Sequence, residues 1–141
     1  MAKDYDPKKV TLNLGGHIAQ GFAEGTFITV ARNNDMWTLQ SGASGETARS
    51  KSNDRSGTIE VTLMQTSITN DYLASKAALD ESDLNGGKFA AGLMDANGTT
   101  LVGAVELWVK QQPSMELAKE LSDRTWMLET GDLEMFVGGT A

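Results

Sequence analysis

The run Gly45-Glu-Thr-Ala-Arg-Ser-Lys51-Ser52 stands one residue away from a phosphate-binding loop, with Ser50 where the second glycine belongs. That chemistry needs a buried parallel strand before the loop and a helix N-terminus after it, facing the phosphates. Here Asn53-Asp-Arg-Ser-Gly57 leads into a strand pattern instead, so the match carries no nucleotide site. His17 is the single histidine and there is no cysteine, so any nucleophile–base pairing must run through His17. It follows a Gly-Gly turn in an alternating strand, and no Gly-x-Ser-x-Gly elbow occurs, so it reads as a surface or strand-packing histidine. Asp80, Glu81 and Asp83 lack the alternating spacing and terminal Glu of a calcium loop and read as a solvated acidic segment. Trp37, Trp108 and Trp126 all fall in strand patterns, where a stacking platform competes with the commoner core or interface role. No catalytic, cofactor-binding or metal-ligating residue is assigned, and the expectation is a protein that is not an enzyme and needs no cofactor.

The remaining chemistry is electrostatic. The 141 residues carry 12 Lys+Arg against 19 Asp+Glu, a net charge of −7. Gripping nucleic acid needs clustered cations, so the acidic balance argues against it, though not against letting DNA slide past. Against this background residues 41–56 stand out: Ala43 and Ala48 are their only apolar side chains, and they hold Arg49, Lys51 and Arg55, three of the 12 basic residues. A long polar loop of this kind is usually functional or disordered. A basic loop on an acidic body suits docking onto another copy of that body; a merely solvated loop is the plainer alternative.

The elements that must position these groups are mostly strands. Val10, Leu12 and Leu14 alternate with polar residues, Gly15-Gly16 supplies a two-residue turn, and residues 17–22 return. Residues 26–31 form a further strand, with 36–40 as its partner, giving a meander of about four strands. Ile59, Val61 and Leu63 point one way and Glu60, Thr62 and Met64 the other, the clearest alternation in the chain. One helix is expected over 69–82, capped by Thr69 or Asn70 and ended near Gly86-Gly87. Residues 88–94 and 99–110 flank the Asn97-Gly98 hairpin, 115–121 is either strand or helix, and 123–129 and 133–137 are strands. The sum is a single mainly β domain, an antiparallel β-sandwich or barrel of two packed sheets with one flanking α-helix. The polar first six residues and the lack of a long apolar run lead to the expectation of a soluble chain made in a cytoplasm, with no membrane binding.

The runs Gly21-Phe-Ala-Glu-Gly-Thr-Phe-Ile28, Ala48-Arg-Ser-Lys-Ser-Asn-Asp-Arg-Ser-Gly-Thr58, Thr62-Leu-Met-Gln-Thr-Ser67, Asp95-Ala-Asn-Gly-Thr-Thr100 and Asp123-Arg-Thr-Trp-Met-Leu128 closely resemble tail tube proteins of contractile-tailed bacteriophages. The resemblance covers nearly the whole chain and implies a fold like that of the type VI secretion inner-tube protein. It further implies hexameric rings that stack into a hollow tube, with residues 41–56 bridging rings through Arg49, Lys51 and Arg55. Implied partners are other copies of the chain, the tail sheath, the tape-measure protein, and baseplate and tail-terminator proteins, with DNA passing without being held. The implied place is the virion tail, assembled in the host bacterial cytoplasm. Glu60 and Thr62, with Glu106 and Glu129, are the candidates to face the lumen. The competing expectation is a monomeric β-barrel module that binds an oligosaccharide or oligonucleotide.

Overall fold

A computed structural model describes residues 3–84 and 86–139. Strands β1 (Val10–Leu14) and β2 (His17–Ile18) form the first hairpin. Its turn needs glycine twice over: φ is 60° at Gly15 and 95° at Gly16, and a Cβ at Gly15 would lie 2.6 Å from the Tyr72 hydroxyl. There follow β3 (Ile28–Arg32), β4 (Trp37–Ser41), β5 (Thr47–Lys51), β6 (Gly57–Met64), helix α1 (Thr69–Ser82), β7 (Phe89–Asp95), β8 (Leu101–Gln111), β9 (Asp123–Thr130) and β10 (Leu133–Phe136). All strand pairs are antiparallel.

One sheet holds eight strands in the order β2-β1-β7-β8-β9-β6-β3, with β10 added on β8; the second is the β4–β5 hairpin. Strand β8 is the spine. Leu107 pairs with Thr130 and Ala104 with Leu133, so β9 and β10 follow β8 in one register across the break at Gly131-Asp132, and a bulge between Val109 and Gln111 shifts it at the far end of β8. Ile59, Val61 and Leu63 of β6 join Leu12 and Leu14 of β1, Leu93, Leu107, Trp126, Leu128 and Leu133 in a single core cluster. Strands on both sides of β8 thus share one interior, and the sheet folds over its own inner face. Each fully buried leucine there contributes about 1.5–3 kcal/mol. The fold class is the expected one: mainly β, antiparallel, with one helix.

Helix α1 spans 69–82 as the sequence indicates, but its N-terminus is built differently. The Ser67 hydroxyl, not Thr69 or Asn70, accepts from the first helical N–H, that of Thr69, at 3.2 Å. Thr69 and Asn70 are the first two residues of the helix, buried, and turn to the sheet. They compensate for a thin apolar stripe in which only Leu73 and Ala77 are buried. Gly87 ends the excursion where a Cβ would strike Asp80 and the Lys76 carbonyl.

Four expectations are corrected. There is no four-strand meander: β3 pairs with β6, and β4 pairs with β5. Ile28 and Val30 pack on the core, so β3 goes to the core strand, whereas every residue of β4 is exposed. Residues 41–56 are not all loop, because Thr47–Lys51 is β5. With both faces in water, that strand has no apolar period to betray it. Residues 115–121 are neither strand nor helix; they form an irregular strap with Met115, Leu117 and Leu121 exposed. The returning strand after Gly16 is also shorter than 17–22, ending at Ile18.

Candidate assembly surfaces

In the β4–β5 hairpin, Trp37 faces Lys51, Leu39 faces Arg49 and Ser41 faces Thr47. Residues directly opposite share a face, so Trp37, Leu39, Arg49 and Lys51 line one side, and Thr38, Gln40, Ala48 and Ser50 the other. The Arg49 guanidinium lies 3.7 Å from the Trp37 ring centre, a contact worth about 0.5–1 kcal/mol at an exposed site. One side of the hairpin is therefore apolar and cationic at once. Gly45, at φ 85°, sits in its tip, and Lys51 ends a strand, so the phosphate-loop spelling has neither the helix nor the geometry for a nucleotide.

The hairpin is fastened at its base. Ser52 N–H donates to the Met36 carbonyl at 2.9 Å, and the Asn33 amide donates to the Ser56 hydroxyl at 3.0 Å. Asp54 accepts from the Ser56 N–H at 3.0 Å and from the Asn34 amide. The Ser56 backbone N–H above all, then the Ser56 hydroxyl and the Asn34 amide, hold the Asp54 carboxyl below its usual range. Arg55 lies beyond the hairpin. Its Nε is 3.0 Å from Asp132 Oδ1, and its carbonyl accepts from Leu133 N–H at 2.8 Å. Of the basic trio, Arg49 and Lys51 are together on the hairpin, while Arg55 is engaged with the break between β9 and β10.

The second surface is the outer face of the large sheet. Registers place Glu60 beside Thr29 and Met127, Thr62 beside Thr125, and Glu129 beside Thr58 and Trp108. Glu60, Thr62 and Glu129 thus share the face turned away from the core. The Thr62 and Thr125 hydroxyls are 3.2 Å apart, and Glu129 lies 3.7 Å from Lys110 Nζ. Glu106 sits apart in a bulge of β8 against β7, 3.9 Å from Lys88 Nζ. Glu60 makes no ion pair among the described residues.

Beneath the helix lies polar packing that the sequence did not announce. The His17 ring stacks on Tyr72 at 4.6 Å, and its Nε2 is 3.0 Å from Thr69 Oγ1, which also accepts from Gln20 N–H at 3.1 Å. Burial pushes the Tyr72 hydroxyl pKa up. Asn70 accepts from Trp126 Nε1 at 2.9 Å and donates to the Met64 carbonyl at 2.9 Å. Buried Asn97 holds residue 6 by two bonds, accepting from Asp6 N–H at 3.0 Å and donating to the Asp6 carbonyl at 2.9 Å. Asn70 and Asn97 looked like a cap and a turn residue, and nothing in their spacing distinguishes those local roles from long-range ones. The tryptophans form no platform: Trp126 is in the core, Trp108 on the outer face and Trp37 on the hairpin. No group of three or more His, Asp or Glu is placed to hold a metal among the described residues.

Known proteins supply the context for these two surfaces. "Structural protein ORF10" of Pseudomonas phage KPP10 is 25% identical over 142 residues, covering 96% of this chain and 82% of that protein. The anti-feeding prophage tube terminating cap superposes with a TM-score of 0.61 at 9% identity, over 100% of this chain and 94% of the other. A chain from the sheath/tube terminator of the extracellular contractile injection system PVC gives 0.59 at 12% identity, over 96% and 99%. One from the PVC sheath-tube complex gives 0.57 at 11%, over 94% and 91%. These structural likenesses speak for the fold. The family model described as the bacteriophage PhiTE tail tube protein matches residues 11–138, from β1 to beyond β10, and on that match the chain belongs to this tail tube family.

Proposed function

We propose that this chain is the repeating subunit of a phage tail tube, assembling into hexameric rings that stack around a lumen through which DNA passes. The single observation that carries the reading beyond family membership is the β4–β5 hairpin, whose every residue is exposed and whose Arg49–Trp37 side takes no part in the core cluster among the described residues. In this reading Arg49 and Lys51 pair with carboxylates of the next ring, and Arg55 holds the base of the arm through Asp132. The face bearing Glu60, Thr62 and Glu129 lines the lumen, where a neutral to acidic wall does not trap a polyanion. Glu106 belongs to the rim of that wall. The sheath lies outside the tube, the tape-measure protein fills it during assembly, and baseplate and terminator proteins meet its ends. Assembly takes place in the host cytoplasm, and the product resides in the virion tail. Size exclusion followed by negative-stain microscopy of the purified chain tests the proposal. Rings or tubes are the expected result; a monomer at high concentration with neither would overturn it.

A further inference from the structure

The β4–β5 arm and an acidic cleft lie at opposite ends of one strand, β6. Arg32 pairs with Gly57 where β3 ends and β6 begins, and the arm springs from that end, held there by the bonds of Asn33 to Ser56. Met64 pairs with Asp123 at the other end of β6, whose eight residues span about 25 Å at roughly 3.3 Å per residue. There the strap that leads into β9 is tied down by Ser122, whose N–H donates to Gln65 Oε1 at 3.1 Å and whose hydroxyl donates to the Glu116 carbonyl at 3.4 Å. Between strap and strand opens a cleft of about 370 Å³, lined by Glu116, Asp123, Gln111 and Thr125 among others.

The two ends are opposite in charge. On the arm, the side that carries Arg49 and Lys51 holds no carboxylate; Glu46 sits in the turn across from Gly42, out of phase with Thr47, Arg49 and Lys51. Stacking on Trp37 occupies the flat face of the Arg49 guanidinium and leaves its N–H edge for an acceptor. In the cleft, Glu116 and Asp123 are exposed, make no ion pair among the described residues, and share the lining with no cation. With Glu120 counted in, residues 112–123 set these carboxylates against Lys119 alone, a net charge of −2. The other acidic hollow, beside Asp80 and Glu81, already contains Lys110. Every strand residue of the arm is exposed, so it does not fold back onto its own body. We infer that the arm of one copy reaches the Glu116–Asp123 cleft of a second copy, setting Arg49 and Lys51 against the two carboxylates. Arm and cleft are different surfaces, so the contact is heterologous: each copy offers both halves, and it repeats from copy to copy rather than ending at a dimer.

This contact rests on the proposed ring stacking, for which it names the receiving carboxylates, and the test separates the two. Glu116→Lys with Asp123→Lys should leave rings in negative stain and abolish tubes, in a chain that still melts cooperatively. Joining this pair to Arg49→Glu and Lys51→Glu in one chain exchanges the charges of arm and cleft, and tubes should return. Should the lysine pair disturb folding, Glu116→Gln with Asp123→Asn removes the charge and keeps the shape, and should shorten tubes several-fold. Tubes of ordinary length from a folded cleft variant would overturn this contact and leave the tube reading standing. So would a folded chain with all four reversals that still stops at rings. Failure of the native chain to form either rings or tubes would overturn both.

Discussion

Asn70 joins three elements through one side chain: it ties α1 to Trp126 of β9 and to the end of β6. Replacing it by Leu keeps the volume but orphans Trp126 Nε1 and takes one of two donors from the Met64 carbonyl, which keeps the Ser67 N–H. Each buried group left unpaired costs about 1–3 kcal/mol, so Asn70→Leu should lower stability markedly in urea or thermal melts, and an unchanged melt would deny the bond its role. Asp54 makes a pH-dependent contribution. Its carboxyl is depressed in the folded chain, so the order it lends the hairpin base is present above the ordinary carboxylate pKa and is lost as pH falls through its lowered value. The Ser56 amide resonance should therefore titrate with a midpoint below about 3.9, and Asp54→Asn should abolish that titration. A midpoint at the ordinary value would mean that the Ser56 and Asn34 bonds are not kept in solution.

At the scale of elements, the hairpin and the core strands should behave as different materials. An isolated two-stranded hairpin is marginal in water, and β4–β5 contributes no residue to the core cluster, whereas β6 alternates buried and half-buried residues between β3 and β9. In the isolated subunit its cross-strand amides should exchange much faster than those of β6, and they should become protected on stacking; equal protection in both states would deny the hairpin a bridging role. This contrast also explains what the sequence revealed. β6, the Asn97-Gly98 hairpin and α1 were legible because each carries a period or a turn signal matched to one buried face. β5 was missed because Thr47, Arg49 and Lys51 alternate only with Ala48 and Ser50, too small to mark an apolar face, and the pairing of β3 with β6 was missed because periodicity fixes a face, not a neighbour. The outer-face candidates Glu60, Thr62 and Glu129 were readable as one set from alternation alone. Glu106 flanks the same face two residues before Trp108, but stands apart along β8 at a bulge against β7 that no local signal marks.

For the molecule as a whole, charge placement is what assembly must reconcile. Reversing Arg49, Lys51 and Arg55 together would confound two effects, since Glu at 55 would sit against Asp132. Arg49→Glu with Lys51→Glu isolates the arm: elongation should fail in electron micrographs while stability falls by no more than about 1 kcal/mol, the worth of the lost Arg49–Trp37 contact. Tubes of ordinary length would remove both residues from the ring contact. Glu60→Lys is the corresponding probe of the wall, because Glu60 has no cation to leave behind. Particles should assemble but release DNA slowly, with the defect easing toward 1 M salt, where the Debye length shrinks to about 3 Å. Unchanged release would take Glu60 out of the lumen.

The free-standing hairpin has a consequence for how such a chain changes over generations. In the ring contact proposed above, substitutions in β4 and β5 would alter what the arm grips without touching the shared interior, and so would escape the stability threshold that filters most mutations. Fit between successive subunits is then selected separately from foldability. An arm of this kind can acquire a new mating preference while its scaffold stays as it was, and two tubes in one cell can diverge into sets that no longer mix.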